Sequence, residues 1–125
     1  MVEHARAALP CEAVGLLGGS RAGRVELVLP VANIGASGTF LADPREQFLA
    51  EQELARAGAG LVAVYHSHPG GGTDPSPLDL AFARQRSCAH VVLAIDPPGR
   101  TGEELGAFAV RDSEAVEVEV RVRFG

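Results

Sequence analysis

The stretch Tyr65-His66-Ser67-His68-Pro69-Gly70-Gly71-Gly72-Thr73-Asp74-Pro75-Ser76-Pro77-Leu78-Asp79 holds the side chains best suited to chemistry. Imidazole nitrogens and carboxylate oxygens are ligands for zinc, and His66, His68 and Asp79 supply three of them. Three protein ligands with a fourth position left to water make a catalytic zinc site, here one Zn2+ per chain. Water held by zinc ionises near neutral pH, with a pKa of about 7. Attack on a carbonyl still requires a base to take its proton. Glu12 is the candidate: it begins an apolar run, where an acid is costly to desolvate unless it has a partner or a task. Ser76 is the candidate donor to the oxyanion that such an attack creates. The set reads as metal-assisted amide hydrolysis.

These residues need elements to position them. Leu61-Val62-Ala63-Val64 reads as a buried strand. Successive strand side chains alternate faces, so His66 and His68 point the same way. Pro69 and three glycines then form a loop, and Ser76-Pro77-Leu78-Asp79 opens a helix with Leu78, Ala81 and Phe82 inward. Taken alone, Ser-Pro-x-Asp is also an ordinary helix start, with an N-cap, a first-turn proline and an acid at N3. The two roles are compatible, because capping orients the carboxylate.

The remaining chain supplies a scaffold. Residues 2–9 form a predicted helix with Val2, Ala5 and Leu9 on one face, ended by Pro10. A strand is predicted over 12–19, a turn over 20–23, and a second strand over 25–31. Residues 33–38 are a loop of small residues, and Thr39-Phe40-Leu41 a short strand. Asp43 is a predicted N-cap, with Pro44 in the first helical position and Glu46 as the capping-box acid. This helix runs to about Ala57 and stops at Gly58. Strands follow over 90–95 and 105–110, separated by the turn at 97–100. The last segment alternates, with Val116, Val118, Val120, Val122 and Phe124 expected to face inward. About six strands and two or three helices make an α+β (α/β-like) chain: a curved, mainly antiparallel sheet flanked by helices. Without repeats or a linker, residues 1–125 are expected to form one domain.

Composition excludes several functions. The 11 basic residues are outnumbered by 16 acidic ones, and the sequence pI near 5.3 gives no nucleic-acid footprint. No apolar run reaches the roughly 18 residues of a membrane span, and the first residues lack a secretory signal. Two cysteines, Cys11 and Cys88, fit a reducing compartment, so a cytoplasmic protein with free, partly buried thiols is expected. His4 reads as a solvated helix residue, and His90 as structural. Exposed sheet edges would suit a homodimer.

Glu12, then His66-Ser67-His68-Pro69, Ser76 and Asp79 at these offsets, resemble the motif of the JAMM (MPN+) metalloproteases. Leu9-Pro10-Cys11-Glu12-Ala13-Val14-Gly15-Leu16-Leu17-Gly18-Gly19 is similar to the segment carrying that family's catalytic Glu, and Asp43-Pro44 before a helix is also shared. The resemblance spans nearly the whole chain, except that the family's N-terminal strand has no counterpart ahead of the first helix. It implies the JAMM/MPN (cytidine-deaminase-like) fold, zinc on His66, His68 and Asp79, Glu12 as general base, and Ser76 as a stabiliser of the intermediate. It further implies an amide substrate after the Gly-Gly tail of a ubiquitin-like, β-grasp sulfur-carrier protein.

Two other functions fit the resemblance less well. A non-catalytic MPN scaffold would have lost these ligands. A DNA-repair-associated relative would carry a different segment around the motif. Among unrelated folds, a metal-dependent (β/α)8 hydrolase requires about 200 residues or more, and a triple alternating His motif would need His where Gly70 stands.

Overall fold

The computed structural model describes residues 1–20, 23–36, 39–85 and 88–121. Its elements are α1 (Val2–Ala8), β1 (Val14–Gly19), β2 (Val25–Val31), α2 (Pro44–Arg56), β3 (Gly60–Pro69), α3 (Pro77–Ala83), β4 (Ala89–Ile95), β5 (Glu103–Arg111) and β6 (Glu114–Glu117). The six strands form one mixed sheet in the order β2-β1-β3-β4-β5-β6. Among the described residues only β3 and β4 pair in parallel, and α3 lies in the crossover between them.

Strand parity divides the core in two. Val14, Leu16 and Val64 face α2, where they pack on Ala50 and Leu54. Ala83 of α3 joins Val92 and Phe108 in a further cluster. The alternate residues, Leu17, Ala63, Tyr65 and Val91, form the second core, and Leu93 and Ile95 pack with Ala5 of α1. The β1 and β4 runs are apolar without alternation because both their faces are covered.

Tyr65 couples the α1 side to the sheet. It is fully buried, and its hydroxyl lies 2.7 Å from His4 Nδ1. His4 is therefore half-buried rather than a solvated helix residue, and burial lowers its pKa. Tyr65 pairs across strands with Gly15, and a Cβ on Gly15 would overlap its ring. Gly15→Ala is accordingly expected to destabilise the fold by about 1–3 kcal/mol through overpacking. Thermal unfolding measures the loss; an unchanged Tm would show that the ring can move away.

Several sequence expectations change. Residues 39–41 are not a strand: Asn33 and Ala42 form one isolated bridge instead. Asp43 caps α2 through the Arg45 N–H, but Glu46 accepts from the Ala32 N–H at 3.0 Å and closes no capping box. β6 has four residues, all exposed, because it lies at the sheet edge. Val116 and Val120 are exposed, and only Val118 packs partly against the core; Val122 and Phe124 lie outside the described residues. Cys11 is exposed rather than partly buried.

Candidate metal centre

His66 and His68 share the β3 face that carries Val64, so they point toward the α2 and α3 side. On that side the first turn of α3 is fixed by a capping box. Ser76 Oγ accepts from the Asp79 N–H at 3.1 Å, and Asp79 Oδ2 accepts from the Ser76 N–H at 2.8 Å. The cap aims the Asp79 carboxylate at the histidines. Its Oδ1 lies 3.1 Å from His66 Nε2 and its Oδ2 2.9 Å from His68 Nε2. The two Nε2 atoms are 3.0 Å apart.

Aromatic packing holds this geometry from behind. Phe40 stacks on the His66 ring with centroids 4.4 Å apart. Phe82, one turn after Asp79 on α3, meets Phe40 edge-on at 5.1 Å and His90 at 5.8 Å. His90 stacks in turn on Phe108. His90 is thus a buried member of an aromatic row, packed between Phe82 and Phe108.

Glu12 reaches the same place from β1. Val14 pairs with His66, and the Ser67 N–H donates to the Ala13 carbonyl at 3.0 Å just beyond the ladder. Continuing that register sets Glu12 across from His68, on the shared face. Its carboxylate lies within 4.8 Å of the His66 and His68 ligand nitrogens, and the residue is 7 % exposed. All five residues expected from the sequence therefore meet at one end of β3.

The electrostatics follow from this convergence. Burial raises the Glu12 pKa and outweighs the opposing charges of His66 and His68; Asp79 adds to the rise. Burial alone would raise the Asp79 pKa as well, but hydrogen bonds from both histidines and from the Ser76 N–H hold it far below the ordinary carboxylate range. Burial pulls the His68 pKa down, but its bonds to Asp79 and to the Gly72 carbonyl carry it above 6.5 on balance.

His68 reveals what the cluster suits. Its Nδ1 lies 2.9 Å from the Gly72 carbonyl, which can only accept, so Nδ1 must carry a proton. A neutral His68 then turns its Nε2 lone pair toward both Asp79 Oδ2 and His66 Nε2. That lone pair and the Asp79 carboxylate oxygen, 2.9 Å apart, need a cation between them: a proton on His68, or a metal ion. Ligands 2.0–2.1 Å from a tetrahedral zinc would be separated by about 3.3–3.4 Å, close to the 2.9–3.1 Å observed here. The donor set thus fits zinc, and the Gly72 carbonyl supplies the outer-shell bond that metal-binding histidines ordinarily make.

A six-stranded mixed sheet with two strand-borne histidines and a helix-borne carboxylate is the architecture of the JAB/MPN class. Residues 1–110 match the model of the prokaryotic homologs of the JAB domain, and the chain belongs to that family. It is 44% identical over 102 residues, 77% of this chain and 67% of the relative, to a Thermus thermophilus protein named "Probable TtuB-protein conjugate cleaving protease". It is 32% identical over 124 residues, 98% of this chain and 84% of the relative, to a Mycobacterium tuberculosis protein named "CysO-cysteine peptidase". Among solved structures, protein DSY2949 from Desulfitobacterium hafniense superposes with a TM-score of 0.85 at 34% identity, covering 98% of this chain and 86% of that one.

Sequence reasoning passed over Asn33, Phe40 and Ser67. Asn33 and Phe40 stand in and beside what reads as a featureless loop, and nothing in their spacing distinguishes them. Ser67 lies inside the motif but faces away from the ligands.

Proposed function

We propose that this chain is a zinc-dependent peptidase or isopeptidase. Its substrate is the amide bond after the Gly-Gly tail of a ubiquitin-like sulfur-carrier protein or its adduct. The observation that carries the reading is the convergence of His66, His68 and Asp79 with a protonated Nδ1 on His68, flanked by a buried carboxylate.

His66, His68 and Asp79 would hold the metal. Zinc in such a site supplies Lewis acidity and a water that ionises near neutral pH. Asp79 is assigned as the ligand because its oxygens touch both histidines, whereas Glu12 stands further back. Glu12 is the general base: it takes the proton of the attacking water and returns it to the departing amine. Its raised pKa suits both transfers. The Ser76 oxygen accepts from the Asp79 N–H, which leaves its own proton for the substrate oxyanion.

The relatives' names support the substrate class, since one describes cleavage of protein conjugates and the other of a cysteine adduct. Among the described residues no helix is long and apolar enough to cross a membrane. We place the activity in the cytoplasm, where a carrier-conjugate peptidase would meet its substrate.

The test uses purified chain loaded with zinc and carrier proteins extended beyond Gly-Gly by cysteine, a short peptide, or a lysine-linked protein. At least one extension is expected to be released by mass spectrometry, to stop with chelator, and to resume with added zinc. A zinc-loaded chain that leaves all three intact would overturn the reading.

A further inference from the structure

The peptide unit joining Glu12 to Ala13 lies just outside the β1 ladder, which begins at Val14. Both residues are buried, so its carbonyl and N–H need partners. Two side chains provide them. Asn33 Nδ2 donates to the Glu12 carbonyl at 2.9 Å, and Ser67 Oγ accepts from the Ala13 N–H at 2.8 Å. One peptide plane is thus gripped at both polar atoms, by groups from two different directions.

Asn33 has no capacity to spare. Its Nδ2 also donates to the Thr39 carbonyl at 3.1 Å, while its Oδ1 accepts from the Gly35 N–H at 2.8 Å and the Leu41 N–H at 2.9 Å. Carbonyls only accept and backbone N–H groups only donate, so the orientation of the amide is forced. The same side chain therefore holds the segment that lays Phe40 on His66. Ser67 is fully buried, faces away from the ligand atoms, and also grips the Ala13 carbonyl with its own N–H.

We propose that Asn33 and Ser67 are positioning residues that clamp the Glu12–Ala13 peptide and thereby set the Glu12 carboxylate over the histidine pair. The inference rests on the reading of Glu12 as the base. A buried side chain has little room to re-adjust, so the Glu12 carboxylate moves with a tilt of its peptide, and a shift of about 1 Å in a reacting group can cost roughly 10²-fold in rate.

Asn33→Asp keeps the two accepted bonds and turns both donors into lone pairs facing carbonyls. Ser67→Ala removes one bond and serves as the milder variant. Both are assayed as zinc-loaded protein, with rates expressed per bound zinc. Turnover is expected to fall roughly 10–100-fold in Asn33→Asp and several-fold in Ser67→Ala, with KM within about twofold of wild type. On a Glu12→Gln background, Asn33→Asp should add no further loss, because it acts through the missing base. A merely structural role would instead multiply with the Glu12→Gln loss. Amide hydrogen exchange provides an arm independent of turnover: Ala13 should exchange faster in both variants while the β4 amides stay protected.

Full turnover per zinc in Asn33→Asp, additive losses, or unchanged Ala13 exchange would each overturn the clamp. If wild type itself cleaves no carrier, the peptidase reading falls, and the exchange arm alone decides whether the clamp exists.

Discussion

Glu12→Gln is expected to retain one zinc per chain and a native fold, and to lose turnover by roughly 10²–10⁴-fold, the usual contribution of a positioned general base. The amide preserves the shape of the side chain and removes only its ability to take a proton. Burial raises the wild-type carboxyl pKa and so favours an uncharged group at this position, which is why the amide is expected to be tolerated. Metal content and Tm beside the rate make the result interpretable. Lost zinc would move Glu12 into the ligand set, alongside His66 and His68. Retained zinc with full turnover would remove Glu12 from the chemistry.

Removing a ligand acts through stability as well as rate. His68→Ala is expected to lose zinc and all measurable turnover. It should also lose the stabilisation that a bound ion confers, about 2.7 kcal/mol when free zinc is 100-fold above its Kd. Chelation of wild type should lower Tm in the same way, whereas chelator should leave the variant unchanged. An unchanged metal content and Tm in His68→Ala would refute the site.

The pH dependence gives this prediction a sign. Without metal, the raised His68 pKa makes its pairing with Asp79 fully stabilising below the ordinary value of 6.5, and the contribution is lost as pH rises through the higher folded value. The lowered Asp79 pKa contributes above the ordinary 3.8 and is lost as pH falls toward its folded value. The metal-free pair therefore stabilises most between about pH 4 and 6.5. Zinc competes with the His68 proton, so the zinc-induced rise in Tm should be larger at pH 7.5 than at pH 5.5. The reverse order would contradict metal ligation by His68.

Much of the site was legible because it depends on local rules. Strand alternation places His66 and His68 on one face whatever lies beyond. Ser76-Pro77-Leu78-Asp79 closes a capping box within its own turn, so Asp79's orientation follows from neighbours in sequence. The apolar runs of β1, β3 and β4 mark buried strands without reference to their partners. Glu46 shows the limit of such rules: its spacing from Asp43 suits a capping box, yet a backbone N–H 14 residues away takes its oxygen. The terminal alternation fails similarly, because a period of two shows that one face could be buried, and not that anything covers it.

By itself, then, the sequence determined the candidate donor types, the faces on which they stand, and the strands and helices that carry them. Each of these is set by side-chain chemistry and by backbone geometry a few residues long. Only the tertiary structure decided which distant groups complete the site. Antiparallel register between β1 and β3 brings Glu12 to His68, and packing lays Phe40 on His66 with Phe82 against Phe40. The Asn33 and Ser67 side chains grip the peptide of Glu12 from 21 and 54 residues away. Such contacts leave no periodic trace in a chain, because they depend on how strands and loops far apart in sequence are brought together, and that is fixed only when the whole sheet assembles.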